Sequence, residues 1–137
     1  MIKLSKLTDY AVVVLAEMAQ ASGTLSTASS LAVKTTLPEP TVAKVLKLLA
    51  KGGVILSTRG VNGGYKLSRP PEEISIAMVV DALEGPVALT ACVDGSEECC
   101  AHSGACPVKG KWNPVNIAMK SALENVSLAQ MMGHMSA

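Results

Sequence analysis

Aromatic side chains are almost missing: Tyr10, Tyr65 and Trp112 account for 2% of the residues, and there is no phenylalanine. Proteins that bind single-stranded nucleic acid without sequence preference stack bases on exposed aromatic rings, so this scarcity argues against that class. Any core must be aliphatic, which a hydrophobic content of 49% allows. Long apolar runs are missing too. The longest near the N-terminus, residues 11–16, is far too short to span a bilayer. No apolar segment there ends at a small-residue cleavage site of signal-peptide type. The chain therefore reads as cytoplasmic and soluble, without a membrane partner, in a compartment where cysteines stay reduced. Repeats and low-complexity tracts are absent. So is a nucleophile–base motif, and Asp81 and Glu84 read as the solvated face of a helix, so no enzyme is expected. At 137 residues the chain is one domain, or one small domain with an appended arm.

The small net charge of +1 hides an asymmetry. Residues 1–70 carry nine Lys/Arg against Asp9, Glu17 and Glu39, a balance of +6, whereas residues 71–137 carry three Lys against eight Asp/Glu, a balance of −5. A basic first half joined to an acidic second half points to a polyanion-binding module with something attached.

All four cysteines fall in that second half, within residues 91–107: Cys92, Cys99, Cys100 and Cys106, with His102 among them. Gly95, Ser96 and Gly104 make the stretch a loop. Thiolates brought together there suit a soft metal centre: iron–sulfur cluster, zinc or copper(I). A disulfide framework needs an oxidising compartment, which nothing in the chain supplies. Structural zinc usually takes short C-x2-4-C knuckles, unlike the spacings here. Iron–sulfur clusters tolerate wider, irregular loops and often draw a ligand from elsewhere. Spacing alone leaves cluster, zinc and redox or inert thiols open.

The periodicity predicts a helix over 7–21, with Leu7, Tyr10, Ala11, Val14 and Met18 on one side and Thr8 or Asp9 as its cap. A short helix over 27–36 is broken at Leu37-Pro38-Glu39-Pro40. The helix over 40–51 is sharply two-faced: Val42, Val45, Leu46 and Leu49 against Thr41, Lys44, Lys47 and Lys51. Two short helices joined by a tight turn, the second with a basic outer face, meet the requirement of a helix-turn-helix. Strands over 54–57 and 65–67 flank Thr58-Arg59-Gly60-Val61-Asn62-Gly63-Gly64, so a hairpin with a bare, flexible tip follows directly, as a wing does. Arg59, Gly60, Asn62 and Gly63 are its candidate DNA contacts, Arg59 in the minor groove or on phosphate. After a linker at 68–73, Ser75 caps a helix over 76–84 that stops at Gly85. Beyond the cysteine loop, Trp112, Val115, Met119, Ala122 and Val126 make a seam at alternating steps of three and four, with Asn113 as cap and Pro114 first in the helix. Such a stripe can pack on its own domain, but outside a small DNA-binding domain it favours pairing with a second copy. The expected architecture is mainly α with a small β-hairpin wing: a winged helix-turn-helix over 1–70, then a short helix, the cysteine loop and a dimerisation helix over 71–137.

Four features in this order carry a resemblance: Leu4-Ser5-Lys6-Leu7-Thr8-Asp9-Tyr10-Ala11, the wing Arg59-Gly60-Val61-Asn62-Gly63-Gly64-Tyr65, Ile74-Ser75-Ile76, and three cysteines of the loop. Over essentially its whole length the chain resembles the IscR/NsrR/RirA-type family of winged-helix regulators that bind iron–sulfur clusters, most closely its regulators of the SUF cluster-assembly system. The resemblance implies cluster ligation by Cys92, Cys100 and Cys106, Cys100 and Cys106 having the family's gap, with Cys99 the alternative within the doublet. It implies a variable fourth ligand. Where some members have a histidine, this chain has Lys109. Asp9 occupies the place of the aspartate that other members contribute from the partner subunit, and His102 is the local competitor. A homodimer reading a palindromic operator in double-stranded DNA, and control of cluster assembly or iron handling, are further implications. A zinc or thiol-redox switch on the same DNA-binding half is the nearest rival reading. An iron–sulfur electron carrier or cluster-transfer protein is the rival of another class, which would need neither basic helix nor wing.

Overall fold

A computed structural model describes residues 3–21, 23–93, 96, 101 and 104–133. Helix α1 (Lys6–Gln20) starts at Ser5, whose hydroxyl accepts the Thr8 N–H. Neither Thr8 nor Asp9 is the cap. Thr8 lies a turn further on and faces inward with Ala11, Val14, Leu15 and Met18, all buried. Its hydroxyl donates to Glu84 Oε2 at 2.6 Å, so Glu84 is not merely a solvated group. The Ser5 N–H also points at that oxygen, at 3.4 Å. The pairing has an electrostatic cause, because the free N–H groups at a helix N-terminus favour a carboxylate.

Helix α2 (Ala28–Thr35) is capped by Thr27, which accepts from the Ser30 N–H. It ends at Thr36, the one non-glycine residue with positive φ (59°) among the described residues. That left-handed residue turns the chain through Leu37 and Pro38 into α3 (Glu39–Lys51). Proline in the first turn of α3 costs nothing, since those N–H groups have no helical partner. Val42, Val45, Leu46 and Leu49 of α3 are fully buried against α1 and α2. At Gly52 a Cβ would lie 2.6 Å from the Ala82 Cβ, so only glycine lets the chain leave α3 this close to the next helix.

Strands β1 (Ile55–Thr58) and β2 (Gly64–Leu67) pair antiparallel, Ile55 opposite Leu67 and Thr58 opposite Gly64. A further rung joins β2 to the α1–α2 connection: Ser26 and Tyr65 exchange both backbone hydrogen bonds at 2.8 Å. A Cβ on Gly64 would meet the Ser26 carbonyl oxygen at 2.8 Å, so that rung depends on glycine. The wing is thereby tied to the helical body.

After a 3-10 turn (Pro71–Glu73), α4 (Ile76–Glu84) runs between the Ser75 cap and Gly85 (φ +86°), as the sequence predicts. Helix α5 (Asn113–Glu124) begins beyond the cysteine loop, with Trp112 rather than Asn113 in the cap position. Along the expected seam Trp112 and Val115 are exposed and Met119 is half-buried; the departure is that α5 ends before Val126. The Val126 carbonyl instead accepts from the Ile76 N–H at 2.8 Å, and the Leu128 N–H donates to the Ile74 carbonyl at 2.7 Å. This bridge delivers α6 (Leu128–Met131) to the body, with a capping box between Ser127 and Gln130. Leu128 is fully buried and joins Ile74 and Val79 in the core built by α1–α3.

Candidate functional site

The buried stripe of α3 dictates what its other face presents. With Val42, Val45, Leu46 and Leu49 turned inward, Lys44, Lys47 and Lys51 are exposed on the opposite side and Thr41 is half-buried at its edge. Steps of three and four residues set the three ammonium groups about one turn apart along one helix, a ladder of positive charge. Glu39 supplies the acidic group of the first turn and Lys51 the basic group of the last, both favourable to the helix dipole.

Arg59 leaves β1 exposed, and Gly60 (φ +114°) begins the reversal. The tip is a closed turn rather than a loose one, because the Gly63 N–H donates to the Gly60 carbonyl at 3.0 Å. Any Cβ on Gly63 would collide with the Thr58 carbonyl oxygen and lie 2.9 Å from that of Gly60. The turn thus needs glycine at 63 for space, which the dipeptide pattern signals only as freedom of φ. Val61 and Asn62 project into solvent at the tip. The recognition-helix residues and the wing residues lie on consecutive elements of one packed unit, α3 against β1.

The cysteine loop is held at its stem. Asn116 of α5 is buried; its Oδ1 accepts the Leu89 N–H at 2.9 Å and its Nδ2 donates to the Val87 carbonyl at 3.0 Å. Sequence reading passed over Asn116. The signal that could have found it is an amide amid the apolar residues of a helix. Three residues beyond Leu89, the half-exposed Cys92 Sγ lies 3.2 Å from the Thr90 hydroxyl. That hydroxyl holds the thiol below its ordinary pKa range, helped by the Gly110 N–H and slightly by the Lys109 charge, while burial opposes. Cys106 is free and half-exposed. Cys99, Cys100 and His102 lie outside the described residues. Asp9 is exposed in the first turn of α1. Among the described residues no three His, Cys, Asp or Glu side chains meet around a metal-sized point. Nor, among them, is any helix long and apolar enough to cross a membrane.

Comparison with known proteins agrees with this arrangement. Residues 4–134 match the family Rrf2, described as an iron-dependent transcriptional regulator. An HTH-type transcriptional regulator of Mycobacterium tuberculosis is 32% identical over 133 residues, covering 96% of this chain and 81% of the relative. The regulator NsrR of Oceanobacillus iheyensis is 31% identical over 129 residues, covering 93% and 88% respectively. Among solved structures, CymR, the global cysteine regulator of B. subtilis, superposes with a TM-score of 0.73 at 25% identity, covering 99% of this chain and 100% of CymR. These relatives are regulators and not enzymes, and the architecture found here is theirs. The chain belongs to the Rrf2 family of winged-helix, DNA-binding transcriptional regulators.

Proposed function

We propose that this regulator is a cytoplasmic homodimer whose hold on a palindromic operator is set by an iron–sulfur cluster. Helix α3 lies in the major groove, Thr41 and Lys44 nearest the base edges and Lys47 and Lys51 on phosphate. Arg59, Gly60, Asn62 and Gly63 follow the adjacent minor groove. Two-fold symmetry sets the half-sites about one helical turn apart, ~34–36 Å. The exposed Trp112, at the cap of α5, and Val115 within it face the second copy.

Cys92, Cys100 and Cys106 hold the cluster, with Asp9 of the second copy as fourth ligand and His102 or Cys99 as alternatives. The chemistry of the described donors fits such a group. Cys92 and Cys106 are free and partly exposed, and the Thr90 hydroxyl favours the thiolate form of Cys92, the form that binds metal. When bound, the cluster supplies a redox- and iron-sensitive centre. The chain's own part is to hold thiolates at the loop and to transmit their spacing to α5. A carboxylate is a harder and weaker ligand for iron than a thiolate, so an aspartate leaves one iron exchangeable. Coupling between such a site and DNA is typically worth about 1–3 kcal/mol, roughly 5–150-fold in affinity. Genes for cluster assembly or iron handling are the targets this reading implies.

The observation that carries the reading is the Cys92 thiol, held and half-exposed in a four-cysteine loop on a chain whose α3 presents a lysine ladder. It is tested by the anaerobic visible spectrum of fresh protein, with iron and acid-labile sulfide assayed on the same sample. Near-equal iron and sulfide, lost in Cys92→Ala, Cys100→Ala and Cys106→Ala, is the expected result. Holo and apo DNA titrations then give the sign of the coupling. Colourless protein that cannot be reconstituted overturns the cluster. The second reading then takes over, a zinc or thiol-redox switch, which the lowered pKa of Cys92 favours.

A further inference from the structure

The cysteine loop leaves the body at Val87–Leu89 and rejoins it at α5, and one side chain closes the two ends. Leu89 and Asn116 are 27 residues apart in sequence, and all four cysteines lie between them. Both halves of the Asn116 amide are used, one on each side of Ala88. Asparagine is a weak residue inside a helix, and a buried amide is costly without partners. If α5 needed only packing here, an apolar side chain would serve it better.

The two sides of the loop are held differently. On the Cys106 side a series of backbone turns runs into the helix: Lys109 to Cys106 at 3.3 Å, Lys111 to Val108 at 2.9 Å, Asn113 to Gly110 at 3.2 Å and Asn116 to Trp112 at 2.9 Å. Cys106 is therefore placed by α5 itself. On the Cys92 side the Gly110 N–H faces the thiol itself, and the Asn116 amide ties down the backbone that leads to it. The amide fixes Leu89, next to Thr90, whose hydroxyl touches the Cys92 sulfur.

We propose that Asn116 is the positioning residue of the metal-binding loop, holding Cys92 at a set separation from Cys106. This rests on the proposed cluster, which Asn116 does not itself touch. Partners that orient metal ligands typically change metal affinity about 10–100-fold when removed.

The test compares wild type, Asn116→Leu and Asn116→Ala after anaerobic reconstitution. The readouts are the visible circular dichroism of the cluster and the rate of iron loss to a chelator. Altered circular dichroism and iron release faster by about 10-fold or more in both variants are expected, with apo-protein DNA affinity unchanged. Rates within twofold of wild type, with the same spectrum, overturn the role. Two measurements on apo protein keep the question decidable. The Leu89 amide of wild type must be protected from hydrogen exchange; exchange at the unstructured rate overturns the clamp. With Cys99, Cys100 and Cys106 replaced by Ser, alkylation of Cys92 must change several-fold in Asn116→Ala. Wild type that takes up no cluster overturns the cluster reading alone, and the Cys92 alkylation rates then decide the role of Asn116.

Discussion

The winged-helix body and the cysteine loop with its following helix hold together by different means. In the body, α3 alone buries four aliphatic side chains completely, and α1 adds Ala11, Val14 and Leu15. Removing that much apolar surface from water stabilises each large side chain by about 1.5–3 kcal/mol, so the body has one arrangement. In α5 the only buried residue is polar, Asn116, and Val115, Ile117 and the preceding cap residue Trp112 are exposed. The second region buries less, with Val93 inside and α5 packed on α4, and adds directional links: the Asn116 amide, the Ser75–Ser127 bridge and the turns that follow Cys106. Dense burial suits a part that must present the same surface to DNA every time. A few hydrogen bonds, each worth about 0.5–1.5 kcal/mol net, leave a part easier to shift than a close-packed core.

The comparison can be broken most directly at its energetic extreme. Leu46→Ala in the body should cost about 2–5 kcal/mol in urea unfolding, because it opens a cavity in a close-packed core. Lys120→Ala, exposed on α5 away from the seam of Trp112 and Val115, should stay within about 0.5 kcal/mol in the same measurement. Similar losses at the two sites would remove the distinction between the regions.

The contact between α1 and the end of α4 comes next. Thr8→Val keeps the shape of a buried side chain and deletes the donor to Glu84. Because the carboxylate is exposed and can be rehydrated, we expect a loss of about 1 kcal/mol in the same unfolding measurement. No change would mean that solvent replaces the Thr8 hydroxyl fully.

A smaller effect on the DNA face sharpens the contrast. Lys47→Ala should weaken binding about equally across operator sequences and lower the slope of log affinity against log salt by about 1, with unfolding unchanged. A selective loss for one base sequence would move Lys47 from phosphate to a base edge.

The smallest expected effect is a titration in the loop. Because the Thr90 hydroxyl lowers the Cys92 pKa, the thiolate persists to lower pH. The alkylation rate of Cys92, in protein whose other cysteines are Ser, should therefore rise with pH at a midpoint below that of Thr90→Val. Coincident midpoints would show that the hydroxyl does not act on the thiol.

Much of the body was legible because its signals are local. Val42, Val45, Leu46 and Leu49 at helical spacing state which face of α3 is inside. Ser75 and Gly85 bracket α4 at both ends, and the glycines after Arg59 mark the wing. Legibility failed where a residue's role depends on a distant partner. Thr8 has the chemistry of a cap, yet Ser5 caps α1, because Thr8 is turned toward a carboxylate 76 residues away. Glu84 looks like any exposed acid at a helix end until the N-terminus of α1 is placed beside it. The seam through Trp112, Val115 and Val126 is regular in sequence, but Val126 belongs to the bridge with Ile76 and not to the helix.

Periodicity, caps and turn residues by themselves determined the class of this protein: three helices, a wing, a short helix, a cysteine loop and a final helical arm. Each of those signals acts within about one helical turn or one hairpin, where chain connectivity already sets the geometry. Only the tertiary structure decided that α6 returns to the core through Leu128, that Glu84 meets the start of α1 and that Asn116 closes the cysteine loop. Those contacts join residues tens of positions apart, and which ones meet depends on how the elements pack.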